Sequence, residues 1–168
     1  EKERISLKQK DFATSLAEGL VIFKNLVRRM ADRAGAFSAK ELIIVSDGAL
    51  WIRGIVESMF PWAVHILDWF HVTENLWKCG KALYGEGTLL AVEWVQGYKN
   101  LIWHGCIDSA LILLEEEART ARNQTPIREL LNYFRERKEQ MRYTEFRERG
   151  YYIGSGSIES ANKYVIQD

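Results

Sequence analysis

The sequence has few of the features that mark several classes of protein. It holds only two cysteines, Cys79 and Cys106, which lie far apart and form no CxxC pair, so neither a disulfide framework nor a common zinc site is indicated. No apolar run approaches the roughly 20 residues that a membrane span needs, and no secretory signal opens the chain. We therefore expect a cytoplasmic protein with no membrane partner.

The chain also lacks an excess charge of either sign. Lys plus Arg and Asp plus Glu number 23 each, so the formal net charge is zero. A protein that binds nucleic acid mainly through phosphates usually has a basic excess, so a DNA-binding role here needs a local patch or a basic module elsewhere in a longer protein. The 168 residues, 47% of them hydrophobic, are typical of one folded unit. A first residue Glu1 and a last residue Asp168, just after an apolar stretch, lead us to expect a fragment.

The first half of the chain alternates helical and strand patterns. Apolar residues at three- and four-residue spacing predict a helix from Asp11 to near Gly35. Short β-branched runs predict buried strands over 42–45 and 63–67, with a helix over 52–59 between them. Strand, helix and strand in this length form a βαβ unit, which implies parallel strands with a right-handed crossover.

The second half of the chain has a helical period only. Helices are predicted over 70–83, 88–103, 107–122 and 126–148, and another from Ile158. Thr125-Pro126 is typical of a helix start, with Thr125 as the N-cap. The Arg and Glu residues of the 126–148 helix indicate a solvated face with i,i+4 ion pairs more than a nucleic-acid stripe.

Candidate functional groups follow both predicted strands, where the working residues of parallel sheets collect. Asp47 would be held on a rigid element and open to a cleft, which suits a divalent cation with oxygen ligands; an Asx-turn or a helix cap is the alternative. Asp68 and His71 share the second strand-to-helix junction, where a capping aspartate and a partly buried histidine are the alternative. Asn75, one turn on, extends this polar side.

A glycine-rich loop, Gly154–Ser157, leads into the last predicted helix. Glycines let the backbone approach a ligand, and the helix N-terminus favours an anion or a metal–phosphate pair. Glu159 lies in the first turn of that helix and Lys163 one turn later on the same face. A phosphate-binding nest without catalysis is the alternative. Because the Walker A lysine and spacing are missing, a nucleotide-binding α/β protein is a weaker one.

Three groups of residues together resemble bacterial insertion-sequence transposases of the DDE class. They are Ser46-Asp47-Gly48-Ala49 with Trp51-Ile52, Asp68-x-x-His71 with Glu74-Asn75-Leu76, and Gly154-Ser155-Gly156-x-Ile158-Glu159-Ser160 with Lys163. The order of the three groups and their placement on the predicted elements match the family pattern, as the residue identities do. The resemblance covers roughly residues 10–167, and its last two motifs are specific only in combination.

The resemblance implies an RNase H-like fold with a site of three carboxylates that binds Mg²⁺ or Mn²⁺. Asp47 would be the second acidic residue and Glu159 the third, both of them metal ligands, so their carboxylates should lie within roughly 6–8 Å of each other. Asp68, His71 and Asn75 would support the site. Lys163 would contact the DNA backbone.

One part of the family pattern has no counterpart in this sequence. The first acidic residue belongs to an upstream strand, and neither Asp11 nor Asp32 matches it, because the first has the context of a helix cap and the second lies in a helix tail. The resemblance therefore implies an N-terminally truncated chain.

The expected fold is α/β: a partial RNase H-like core with parallel strands and flanking helices, carrying an all-α insertion. Residues 1–84 would form the partial core, 85–150 the helical insertion, and 151–168 the C-terminal core helix with the third acidic residue. The expected function is DNA transposition: metal-dependent strand cleavage and transfer at transposon ends by the full-length parent, as a homo-oligomer, with this chain alone inactive. The alternative is a non-catalytic remnant or binding module that lacks the first catalytic Asp.

Overall fold

The structure, a computed structural model, describes residues 19–154. Its helices are α1 (Leu20–Arg33), α2 (Leu50–Met59), α3 (Trp69–Tyr84), α4 (Leu89–Trp103), α5 (Ile107–Thr120), α6 (Thr125–Arg137) and α7 (Tyr143–Glu148), with short 3-10 helices at Ala36–Ser38 and Lys138–Met141. Its strands are β1 (Ile43–Ser46) and β2 (Val64–Leu67). The described chain is thus mostly helical with one small sheet. None of these described helices is long and apolar enough to cross a membrane.

The chain divides into two compact units between Lys40 and Glu41. In the first unit, α1 ends where the sequence predicts. Gly35 adopts a left-handed conformation with φ of 72°, and the amides of Ala34 and Gly35 donate to helix carbonyls, which closes the last turn. The predicted start of this helix at Asp11 lies outside the described residues.

The second unit begins with the predicted βαβ arrangement. The strands β1 and β2 are parallel, with Ile43 opposite Val64 and Ser46 opposite Leu67, and α2 connects them. The apolar face of α2 buries Ile55 and Val56. The chain is therefore a mixed α/β protein, in agreement with the strand, helix and strand pattern of the sequence.

Helix α3 follows β2 without a loop and carries the apolar stripe that the sequence predicts. Val72, Leu76 and Cys79 are buried on this stripe. The helix ends at Tyr84 and is followed by Gly85, whose φ of 91° is rare for residues with a Cβ atom. Burial and the nearby Glu117 and Glu129 carboxylates raise the pKa of the Cys79 thiol to about 12, so Cys79 acts as a small apolar core residue.

Helices α4 to α7 confirm the helical content predicted for residues 88–148, and this described segment contains no strand. Thr88 caps α4 by accepting a hydrogen bond from the Ala91 amide at 3.2 Å. Glu117 of α5 links this helix to α4, since its carboxylate accepts hydrogen bonds from the Trp94 indole at 2.8 Å and from the Tyr98 hydroxyl at 3.0 Å. The helices share one hydrophobic core with β2 and α3, so the predicted insertion packs directly on the sheet.

The prediction of one continuous helix over 126–148 is wrong. The α-helical hydrogen bonding stops at Arg137, and the 3-10 helix Lys138–Met141 precedes α7. Phe134 and Tyr143 are both fully buried. In a continuous α-helix these two residues, nine positions apart, would point roughly 180° away from each other, so the break is what lets both reach the core. Thr125 is the first helical residue and makes no side-chain cap bond.

Candidate functional site

The two parallel strands end at the same edge of the sheet, and an aspartate follows each of them. Ser46 and Leu67 are paired, and the Asp68 amide donates to the Ser46 carbonyl at 2.8 Å. Asp47 and Asp68 are the next residues along the two strands. Since neighbouring strands lie about 4.8 Å apart, the two aspartates start from adjacent points of this carboxyl edge.

Asp47 lies in a tight turn between β1 and α2. Its Oδ1 accepts a hydrogen bond from the Ala49 amide at 2.9 Å, which is the Asx-turn that the sequence left as an alternative. Gly48 has a φ of 79°, and a Cβ atom there would lie 2.5 Å from Leu67 Cδ1 and 2.8 Å from Arg137 Nε. The turn therefore requires glycine. The side chain of Asp47 remains exposed, and its second oxygen has no partner within residues 19–154.

Asp68 makes the same local turn but is buried, with 3% of its surface exposed. Its Oδ1 accepts from the Phe70 amide at 2.9 Å and caps α3. The C-terminal end of the described chain returns to this point, where the Trp69 amide donates to the Ile153 carbonyl at 2.9 Å. A Cβ atom on Gly154 would lie 3.5 Å from Asp68 Oδ1. The first residue of the glycine-rich loop is thus beside the second aspartate.

His71 and Asn75 both bond within their own helix. His71 Nδ1 lies 3.1 Å from Glu74 Oε2, and Nδ2 of the Asn75 side chain donates to the His71 carbonyl at 2.8 Å. His71 is about one-third exposed at the surface of α3. Both residues thus lie on the first two turns of α3, and these contacts stay within that helix. Glu159 and Lys163, the other predicted site residues, lie outside the described residues.

Two side chains of α6 contact the Asp47 turn, and sequence reasoning missed both. The Tyr133 hydroxyl donates to the Asp47 carbonyl at 2.9 Å, and Arg137 Nε donates to the Gly48 carbonyl at 2.7 Å. Tyr133 and Arg137 are four residues apart, so they lie on one face of α6, and the guanidinium stacks 4.1 Å from the tyrosine ring. That spacing is the only signal in the sequence, and it does not identify the turn as the partner.

A second tyrosine holds the end of β2. The hydroxyl of Tyr143, which is fully buried, donates to the Leu67 carbonyl at 2.6 Å. Leu67 is the residue immediately before Asp68. Each aspartate-bearing strand end is thus fixed through a backbone carbonyl by a tyrosine from the helical segment.

Tyr133 is affected by the charges of several acidic groups at this edge. Burial raises the pKa of Tyr133 to about 12, and the Arg137 guanidinium opposes this increase. Three carboxylates, those of Asp47, Glu74 and Asp68, add to the increase. The Tyr133 hydroxyl therefore stays protonated as a hydrogen-bond donor at neutral pH, beside a region of negative charge.

The carboxyl edge offers the type of ligand that a divalent cation prefers. The described residues supply only part of the usual number of ligands. An exposed carboxylate such as that of Asp47, with an unpartnered oxygen, is the ligand type that Mg²⁺ and Mn²⁺ prefer. Among the residues that the structure describes, no group of three or more His, Cys, Asp or Glu side chains is placed to hold a metal ion. A metal site with three such protein ligands at this edge would therefore include Glu159 or another residue from outside residues 19–154.

Comparison with known proteins identifies no family for the chain. No family model, no curated protein and no solved structure matches it. The interpretation of the carboxyl edge therefore rests on the chemistry of its residues and on the resemblance of the three motifs.

Proposed function

We propose that the full-length parent of this chain is a DDE-class transposase that cleaves and joins DNA strands at transposon ends. The observation that carries the proposal is the arrangement of Asp47, Asp68 and Gly154 at one sheet edge. Asp47 and Asp68 follow paired strands, and Gly154, which begins the third motif, lies beside Asp68. Residues separated by about a hundred positions in sequence thus converge where parallel sheets collect functional groups.

In this proposal Asp47 and Glu159 hold Mg²⁺ or Mn²⁺. Asp47 is suited to this role because its turn is rigid and its carboxylate is exposed. When bound, the metal supplies Lewis-acid activation of water or a 3′-hydroxyl and stabilises the leaving oxygen. Lys163 would contact the DNA backbone as a point charge.

Asp68, His71 and Asn75 act in this proposal as support. The buried Asp68 carboxylate caps α3 and so fixes the direction in which the helix leaves the edge. His71 and Asn75 follow on the first turns of that helix. The sheet with α2 and α3 would be part of an RNase H-like core, and α4 to α7 would be the helical insertion of that core.

A non-catalytic remnant or binding module is the second candidate. The observation in its favour is that the sequence matches two of the three family carboxylates, and that the described residues contain no group of three metal-ligating side chains. In that case the fold is retained and the reaction is lost. The two candidates differ in whether the parent protein cleaves DNA.

The test is metal-dependent nicking of DNA that carries the element's ends. We expect the full-length parent to nick this DNA with Mn²⁺, and Asp47→Asn or Glu159→Gln to abolish the activity, because each keeps the size of the side chain but removes the charge that binds metal. Residues 1–168 alone should bind Mn²⁺ weakly and should not cleave. Robust cleavage by residues 1–168 that survives Glu159→Gln would refute the assignment.

A further inference from the structure

The Asp47 turn is held from outside by two side chains that belong to the helical segment. The backbone carbonyls of Asp47 and Gly48 both accept hydrogen bonds from side chains of α6. The two donors lie 86 and 89 residues further along the chain than their acceptors. The donors are Tyr133 and Arg137. No local feature of the turn requires this second set of bonds, because the Asx-turn and the glycine already close it.

Arg137 is unusual in this contact because its charged side chain is buried. Only 7% of its surface is exposed. Its guanidinium is satisfied by the Gly48 carbonyl, by the Tyr133 carbonyl at 3.0 Å and by the Glu136 carboxylate at 3.0 Å. A buried charge costs stability unless it is well paired, so its location against the turn indicates a specific task.

The two donors also support each other. The Arg137 guanidinium stacks on the Tyr133 ring, which fixes the direction of the tyrosine hydroxyl toward the Asp47 carbonyl. A Cβ atom on Gly48 would overlap the Arg137 side chain, so the turn and α6 fit closely against each other. The contact is a rigid one, because each member limits the movement of the next.

We propose that Tyr133 and Arg137 are positioning residues that set the orientation of the Asp47 carboxylate by fixing the two carbonyls of its turn. The metal-binding consequence rests on the proposed function. The helical segment, in which the resemblance places no site residue, then has a direct part in preparing the metal ligand. Outer partners of this kind commonly change metal affinity by about 10–100-fold when they are removed.

The first readout needs no metal. The Ala49 amide donates to Asp47 Oδ1, so its hydrogen exchange measured by NMR reports the orientation of the carboxylate. Tyr133→Phe removes one hydroxyl and keeps the ring under Arg137, and we expect Ala49 to exchange about fivefold faster, as for the loss of one neutral hydrogen bond. The Phe70 amide, which Asp68 holds independently, should not change.

The second readout is Mn²⁺ affinity of residues 1–168, measured by EPR of the free ion. Tyr133→Phe should weaken binding about tenfold. The matched control is Tyr84→Phe, which removes a hydroxyl at the far end of α3, roughly 24 Å from Asp68 at 1.5 Å per residue, and should change neither readout. Thermal midpoints of the two variants would separate a general loss of stability from a local effect.

Arg137→Lys provides a second variant with the same charge. A lysine cannot donate from the Nε position or stack its head group on Tyr133 in the same way, so both readouts should move in the same direction as with Tyr133→Phe. If Arg137→Lys does not fold, Tyr133→Phe decides alone. Unchanged Ala49 exchange in Tyr133→Phe would overturn the positioning role. If wild type does not bind Mn²⁺, the proposed function fails, and the exchange rates still decide whether Tyr133 holds the turn.

Discussion

The two strand ends of the sheet use the same local chemistry and differ in their surroundings. Asp47 and Asp68 each follow a strand, and each accepts a bond of 2.9 Å from the amide two residues ahead. Each end is also fixed through a carbonyl by a tyrosine hydroxyl. Yet the Asp47 side chain is exposed, whereas Asp68 is buried, with 3% of its surface exposed. Asp68 lies at the start of α3, next to Gly154 of the returning C-terminal segment.

Under the proposed function, this difference separates a metal ligand, Asp47, from a structural support, Asp68. A carboxylate that is buried and used as a helix cap has its geometry committed to the fold, whereas an exposed carboxylate on a rigid turn keeps an oxygen for a cation. An aspartate after a buried strand is therefore an ambiguous signal. The packing of distant segments over the strand end decides which role it takes.

The largest loss of stability should come from a substitution of Gly48, the glycine of the Asp47 turn. Gly48→Ala places a Cβ atom 2.5 Å from Leu67 at a φ of 79°, so we expect a loss of roughly 2–4 kcal/mol in the free energy of unfolding. Gly87→Ala is the matched control, because Gly87 has a φ of 75° but open space around it, and it should cost about 1 kcal/mol. Urea unfolding measures both. Equal losses would mean that the close approach to Leu67 and Arg137 does not constrain the turn.

The second prediction compares the two aspartates directly. Asp68→Ala removes a buried cap and leaves the Phe70 amide unsatisfied, so it should lower the free energy of unfolding by about 2–3 kcal/mol. Asp47→Ala loses an exposed bond and should cost less than about 1 kcal/mol. Urea unfolding of the two variants measures both losses. A larger loss for Asp47→Ala would reverse the assignment of ligand and support.

A smaller effect concerns the pH dependence of stability that comes from His65 of β2, which contacts Ser46 at the end of β1. His65 Nε2 lies 2.8 Å from Ser46 Oγ, and burial and then the Arg53 charge lower the pKa of His65, against an opposing effect of Glu57. The unfolded chain therefore takes up a proton first as the pH falls, so stability should decrease as the pH falls through about 6.5 and level off below the folded-state pKa. His65→Gln should remove this decrease and the exposed His104→Gln should not. A decrease that persists in His65→Gln would assign it to other groups.

The sequence predicts the parts of this edge that depend on local pattern. The β-branched runs, the helix between them and the parallel pairing place Asp47 and Asp68 at one edge, because parallel strands end together. The Asx-turn and the cap were also visible as alternatives, since both are formed within two residues. The start of the first helix at Asp11 remains a prediction, and so do the roles of all the proposed site residues, Glu159 and Lys163 included.

The contacts that the sequence did not predict all join distant segments. Tyr133 and Arg137 reach the turn from 86 and 89 residues away, and nothing in an amphipathic helix indicates which strand end it will meet. The break after Arg137 was missed for the same reason. A continuous helix would place Phe134 and Tyr143 on opposite faces, and the contact of the Tyr143 hydroxyl with the Leu67 carbonyl, 76 residues away in sequence, shows why the helix breaks instead.

The central claim is that Asp47 and Glu159 bind the same metal ion, and a double-mutant cycle on Mn²⁺ affinity tests it most directly. If they share one ion, Asp47→Asn and Glu159→Gln should each weaken Mn²⁺ binding by at least about tenfold, and the double variant should lose much less than the product of the two single losses. Glu74→Gln removes a charge near the same edge and should change the affinity by no more than about twofold. Single losses that multiply fully in the double variant, or an affinity that neither substitution changes, would contradict the account.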